Sequence, residues 1–279
     1  MTATTNVSVD SSRGAGRPAR SRNRRWRGRI GPIIVLVAII GAWIALPSMS
    51  AVPHYVIPPL AEVVSALTDP SAWPNYGQGI ATTMSAVGLG LVIGVAVGLG
   101  LALLLAELPV LYRAIFPYIV ALEAIPKVAL APLFVIWFGF GLGSKLVVVV
   151  LLVFFPVLVN TVHGLREVDT DRIDLFRVAG ASKLQRLWRL SLPTALPSIF
   201  SGLELAVSGA MVGAVVGEFV GAQRGLGVQI LVAQARMDTA GVFALLILLS
   251  AIGVALNTLV RVLRRRVVFW VKPLPAQTV

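Results

Sequence analysis

The sequence predicts an all-α, polytopic membrane protein with about six transmembrane helices. Three observations predict it. Of 279 residues, 57% are hydrophobic and 13% charged, with a mean hydropathy of +0.88. The apolar residues gather into runs that approach or exceed the roughly 20 residues a helix needs to cross hydrocarbon. Lys and Arg, finally, concentrate in alternate connecting segments, as they do in membrane proteins. A soluble core cannot absorb so many such runs.

Residues 1–29 read as a basic tail, and 1–22, rich in Ser, Thr, Gly and Arg, lack the large apolar residues needed to fold alone. The first run, Ile30–Leu46, ends near Ser48-Met-Ser50 and loosely copies a cleaved signal peptide. It exceeds the usual 7 to 15 apolar residues of such a peptide, so an uncleaved helix is expected. The second run, Ile80–Ala106, has 27 residues and is about 40 Å long as a helix, so it must tilt or protrude. Its Gly90, Gly94 and Gly98, with Gly88 and Gly100 nearby, form a small-residue stripe that suits close helix packing. The third, Ile115–Phe138, contains Pro117, Pro126 and Pro132 and is expected to be kinked or broken. Leu146–Val162, Ala195–Val220 and Val242–Val260 complete the six, within a transmembrane domain of 30–263 followed by a tail of 264–279.

Charge orients the chain. The N-terminal tail holds eight arginines, the loop from His163 to Pro193 six Lys or Arg, and the C-terminal segment five. The alternate segments hold none between Pro47 and Gly79, one at Lys145, and two at Arg224 and Arg236. The positive-inside rule then puts both termini and the central loop in the cytoplasm. The formal charge of +12 therefore reads as topology and headgroup contact, and nucleic-acid binding by the arginines is the poorer reading. Cysteine is absent and histidines number two, which argues against a disulfide framework or a metal cluster.

The central loop, 164–193, has its own helix signals. Asp169 or Thr170 can cap a helix whose first turn carries Asp171 and Asp174. Gly180 breaks it. Ser182 with Gln185 forms a capping-box signature for a second helix that Leu192-Pro193 ends. Leu184, Leu187 and Trp188 share one face of that helix, and Lys183, Arg186 and Arg189 another. Such an element can lie on headgroups or dock into a partner.

Asp174-Leu-Phe-Arg-Val-Ala-Gly180 followed by Leu190-Ser-Leu-Pro193 resembles the cytoplasmic loop of ABC-transporter permeases, where Glu-Ala-Ala is followed by a glycine and then Ile-x-Leu-Pro. Asp174, Leu175 and Phe176 stand at the Glu-Ala-Ala positions, with two bulky residues replacing the small ones. Gly180, followed by Ala181, matches the glycine, and Leu190, Leu192 and Pro193 match the end. Ala124–Pro132 through Ile136-Trp-Phe-Gly139, and Val215-Val-Gly-Glu-Phe219 with Arg224-Gly-Leu-Gly227, look like the branch that imports nitrate, sulfonates, taurine or vitamin precursors. The resemblance implies a type I ABC importer permease fold in the bacterial inner membrane. It also implies a second copy of the chain, two copies of an ATP-binding subunit docked on the loop, and an extracytoplasmic substrate-binding protein that residues 47–79 could contact. The chain itself would be no enzyme and need no cofactor. Consistent with that, Gly141-Leu-Gly143-Ser-Lys145 lacks the spacing of a nucleotide-binding loop.

Ionisable residues within apolar runs are costly and mark candidate translocation paths: Glu123, Lys127, Glu204 and Glu218. Glu123 and Lys127, at i and i+4, suit a self-neutralising pair, or Lys127 could meet an anionic group in transit. Glu204 and Glu218, fourteen residues apart, could share one face of the fifth span. A secondary transporter or channel is the alternative reading, and no convincing internal repeat supports it. An intramembrane hydrolase would need a nucleophile-base motif that the sequence lacks.

Overall fold

A computed structural model of the chain describes residues 23–48, 53 and 55–270, and among these every regular element is helical. The expected disorder of 1–22 and the end of the C-terminal tail lie outside the described residues. The first run forms helix α1, Asn23–Ser48, apolar over Ile33–Leu46. It belongs to a separate compact unit from the remainder, which begins at Pro53.

The second unit contains four helices long and apolar enough to cross a membrane, and a bent pair that makes a fifth. The expected count of six is met only when α1, with its shorter apolar stretch Ile33–Leu46, is added. Helix α2 (Leu60–Thr68) precedes α3 (Trp73–Glu107), whose 35 residues confirm that this run outgrows the bilayer. The proline-rich third run is broken as predicted. Helix α4 (Pro109–Glu123) stops before Pro126, a 3₁₀ turn covers Lys127–Leu130, and α5 (Ala131–Phe138) leaves at 82°. Helix α6 (Leu142–Arg166) follows. Next come α7 (Thr170–Val178), the short α8 (Lys183–Arg186) and a π turn at Leu187–Ser191. The last elements are α9 (Leu192–Gly221), α10 (Leu226–Ala235) and α11 (Thr239–Val267). Arg264, Arg265 and Arg266 thus extend a helix rather than begin a tail.

Helix α6 lies between α3 and α9, and glycine lets all three close on one another. A Cβ on Gly90 would overlap the Val149 side chain, one on Gly94 would lie 2.6 Å from Val153 Cγ1, and one on Gly98 3.0 Å from the Phe154 carbonyl oxygen. On the other side Gly202, Gly209, Gly213 and Gly217 of α9 face α6 in the same way, each with α6 backbone within about 3 Å of where a methyl group would stand. Gly88 and Gly100 face open space. The stripe therefore packs helices of one chain. Ala86, Val149, Val153, Ala206 and Ala210 fill the seam between the three helices.

Two helices escaped the sequence reading. Helix α2 packs against α11, and α10 against α9, α11 and α3. Both are short elements at the bundle end opposite the 164–193 loop, α2 amphipathic and α10 apolar, and both too short for a span signal.

Candidate functional site

At the loop end, α7 begins as expected: the Asp169 carboxylate accepts from the Asp171 N–H. It ends in a Schellman motif, with Gly180 N–H donating to the Arg177 carbonyl and Ala181 N–H to that of Phe176. Gly180 has φ +73°, a left-handed conformation that a Cβ would strain. The capping box is formed: Gln185 N–H donates to Ser182 Oγ at 3.2 Å and Ser182 N–H to Gln185 Oε1 at 2.8 Å. Asp174 holds Arg177 at 2.8 Å along the same helix.

Leu192-Pro193 does not end the second helix. Pro193 brings no N–H, and the π turn just before it shifts the hydrogen bonding so that Leu192 N–H reaches Leu187 O. The chain runs helical from Lys183 to Gly221 as one 39-residue element. Leu190 is buried, whereas Leu175, Val178, Leu184 and Trp188 are each more than 60% exposed. The loop thus presents four large apolar side chains on a segment of mixed charge, six Lys or Arg against four Asp or Glu, a surface suited to a partner. It is tied back to the bundle by Arg186, 4.0 Å from Glu107 at the end of α3. The Arg166 guanidinium lies 3.8 Å from the Tyr112 ring centroid, joining α6 to α4.

At the opposite end the structure builds a polar node that sequence reasoning found only in part. Glu218, read as a candidate path residue, is 1% exposed. Its carboxylate lies 3.6 Å from the ammonium of Lys145, accepts from Thr83 Oγ1 at 2.9 Å and from Gly227 N–H at 2.7 Å. Lys145, expected in a connecting loop, lies in the first turn of α6, buried at 3% exposure. It also donates to the Arg224 carbonyl at 3.1 Å. Thr83 accepts from Leu226 N–H. The node joins α3, α6, α9 and the start of α10. The two motifs Val215–Phe219 and Arg224–Gly227 turn out to be one site, because Gly225, at φ +139°, passes where a Cβ would collide with the Glu218 carboxylate. The signal available in the sequence was a charged residue beside two spaced glycines.

The other predicted charges part company. Pro126 interrupts the helix between Glu123 and Lys127, so the i,i+4 ion pair does not form. Lys127 Nζ instead donates to the Glu123 carbonyl at 2.9 Å and stands 4.6 Å from the Phe155 ring centroid. Glu204 pairs with Arg264 of α11 at 3.0 Å. It shares a helix with Glu218 but not a site, since the one carboxylate turns to α11 and the other to α6, α3 and α10.

Beside the node, a cavity of about 380 Å³ opens between the start of α3, α10 and the start of α11. Asn75, Gln78, Arg224, Gln229, Arg236 and Asp238 contribute its polar lining.

This architecture has relatives. Residues 90–269 match the family model described as binding-protein-dependent transport system inner membrane component. The formylaminopyrimidine transport permease protein ThiX of Halalkalibacterium halodurans is 35% identical over 223 residues, 80% of this chain and 88% of that one. The riboflavin transport system permease protein RibX of Chloroflexus aurantiacus is 35% identical over 249 residues, 86% and 90%. The taurine transport system permease protein TauC of Escherichia coli is 28% identical over 264 residues, 90% and 94%. A solved inward-facing structure of the MetNI methionine ABC transporter superposes with a TM-score of 0.61 at 22% identity, covering 72% of this chain and 99% of that one. At that identity the likeness speaks for the fold, which is the one the resemblance implied.

Proposed function

This chain belongs to the binding-protein-dependent transport system inner membrane component family, and from that membership we propose that it forms the pore of an ATP-driven importer, two copies enclosing the path of a small solute. The 164–193 loop is the docking surface for a separate ATP-binding subunit. A single observation carries this assignment: four exposed apolar side chains stand on a hinge of two capped helices, the second continuous with a membrane-spanning helix. An ATPase that closes on ATP would move that loop and the long helix together.

With the loop in the cytoplasm, both termini lie there too and the Glu218 node faces outward, where a substrate-binding protein delivers cargo. The solute we assign is small and either anionic or akin to a vitamin precursor, by analogy with relatives whose names specify formylaminopyrimidine, riboflavin and taurine transport. Lys127, near the broken span, is the proposed anion contact along the path.

The test is to purify the tagged chain in mild detergent from its native host and identify what accompanies it in fixed ratio. A soluble ATPase recovered at one per copy, and lost on Gly180→Val, is the expected result. Active transport by the chain alone, with no ATPase, would overturn the reading in favour of a secondary transporter.

A further inference from the structure

Helix α11 carries charge past the apolar run that makes it a span. It continues for seven residues beyond Val260, to Val267, and four of the seven are arginines, Arg261, Arg264, Arg265 and Arg266. At about 100° per residue, Arg261, Val262, Arg265 and Arg266 occupy one arc of about 140°, with Val260 and Arg264 on the other side. The two sides have different neighbours. Val260 is buried with Phe200 and Val207 of α9, and Arg264 reaches Glu204 of the same helix at 3.0 Å. Arg261, Arg265 and Arg266 are exposed, and among the described residues none of them has a carboxylate within 4.0 Å. Other arginines at this end of the bundle find partners within the chain: Arg172 and Arg177 pair with Asp169 and Asp174, and Arg166 lies over Tyr112.

The apolar surroundings of these three charges point to the class of ligand. Val262 is exposed, and the same arc continues into the span through Thr258, Ala255 and Val254, all exposed as well. Beyond the arginines, Val268 is buried in the cluster with Phe200 and pins the chain to α9, while its N–H donates to the Arg264 carbonyl at 2.7 Å. Next to that anchor Phe269 and Trp270 stand edge to face, ring centroids 5.1 Å apart, 79% and 46% exposed. Aromatic rings at the end of a span sit at headgroup level. Free phosphate or an acidic peptide would use the guanidinium groups but not the apolar lane beneath them, whereas an anionic lipid uses both.

We propose that this face of α11 binds an anionic phospholipid, its phosphate held by Arg261, Arg265 and Arg266, one acyl chain lying along Val262 and Val254, and Phe269 and Trp270 at the headgroup. The site rests on α11 being a membrane span and not on the importer reading.

The experiment is native mass spectrometry of the full chain with its ATPase, titrated in detergent with phosphatidylglycerol or with phosphatidylcholine of the same acyl chains. Phosphatidylglycerol adducts survive an activation that strips phosphatidylcholine. The triple variant R261Q/R265Q/R266Q retains one fewer phosphatidylglycerol per chain and binds phosphatidylcholine as before, whereas Arg113→Gln, at an exposed arginine of α4, changes neither. Phe269→Ser with Trp270→Ser weakens both lipids alike, a split between the two variants that misfolding would not give. Equal retention of the two lipids by the native chain, or the same count in the triple variant, overturns the proposal. Displacement of phosphatidylglycerol by millimolar inorganic phosphate also overturns it and assigns the arginines to a soluble anion. Loss of the ATPase from the triple variant with the lipid count unchanged gives the face to that partner instead. If the lipid behaviour holds and no ATPase accompanies the native chain, only the importer reading falls.

Discussion

Lys145 and Glu218 meet at 3.6 Å with side chains 3% and 0% exposed, so that each charge depends on the other at a depth where water offers no substitute. Removing one partner of such a pair leaves an uncompensated buried charge and costs about 3–5 kcal/mol, whereas removing both is far milder. Lys145→Met and Glu218→Gln are each expected to lower the thermal midpoint in detergent sharply. The double variant should recover most of the loss. Additive losses in the double variant would show that the two groups do not interact.

Glycines of one stripe should respond oppositely according to what they face. Gly94→Leu drives a side chain into Val153 and the Val150 carbonyl, and overpacking of this kind costs about 1–3 kcal/mol or more. Gly88→Leu and Gly100→Leu enter open space and should leave stability unchanged. Size-exclusion profiles after a heating series separate the two outcomes. Equal behaviour of Gly94→Leu and Gly100→Leu would remove the packing role of the stripe.

Gly180 is fixed by conformation rather than by space, since a Cβ added there would meet nothing within 4 Å. Gly180→Asn should therefore keep ATPase binding, because Asn tolerates the left-handed region, while Gly180→Val should lose it at a local cost of about 1–2 kcal/mol. Pull-down of the ATPase by each variant is the measurement. Loss with both variants would point to side-chain crowding at a partner surface instead.

Leu184→Ser and Trp188→Ser alter side chains that are 64% and 65% exposed. Neither should change the folding of the chain, and both should weaken ATPase docking by about tenfold or more if they anchor it. Stability retained together with full docking would argue that the exposed face rests on headgroups.

Lys127→Ala separates its two roles. The residue caps the broken span through the Glu123 carbonyl, a structural task that Lys127→Gln can also perform as a donor. Transport of an anionic solute that falls several-fold in both variants, with stability kept in Lys127→Gln, marks the charge as a contact in transit. Intact transport in Lys127→Ala would sink that assignment.

Much of the fold was legible because membrane helices advertise themselves. The runs later seen as α3, α6, α9 and α11 announce their presence, though each helix extends past its apolar run into polar or small residues that carry no span signal, and the three prolines of the third run locate a break that the structure places beside Pro126. The capping box at Ser182 is local chemistry and so is readable locally. Where a feature depended on a distant segment, the sequence misled. Lys145 resembles a loop residue until the carbonyl of Arg224 and the carboxylate of Glu218 come to it from 79 and 73 positions away. Glu123 and Lys127 suit a helix pair by spacing, but the proline between them abolishes the helix that spacing assumes. Pro193 reads as a stop because one N–H is missing, and only the hydrogen-bond shift of the preceding turn shows how the helix passes it.

The 39 uninterrupted residues from Lys183 to Gly221 also impose a rule on how this chain can vary. Each residue of a helix advances it by about 1.5 Å and turns it by about 100°. One residue inserted between the loop and Glu218 would swing that carboxylate a quarter-turn off Lys145 while leaving every local preference intact. The number of residues in this helix is thus fixed as firmly as their identities, and viable length changes in relatives should fall outside the stretch from Lys183 to Glu218, where two ends have to be kept in register.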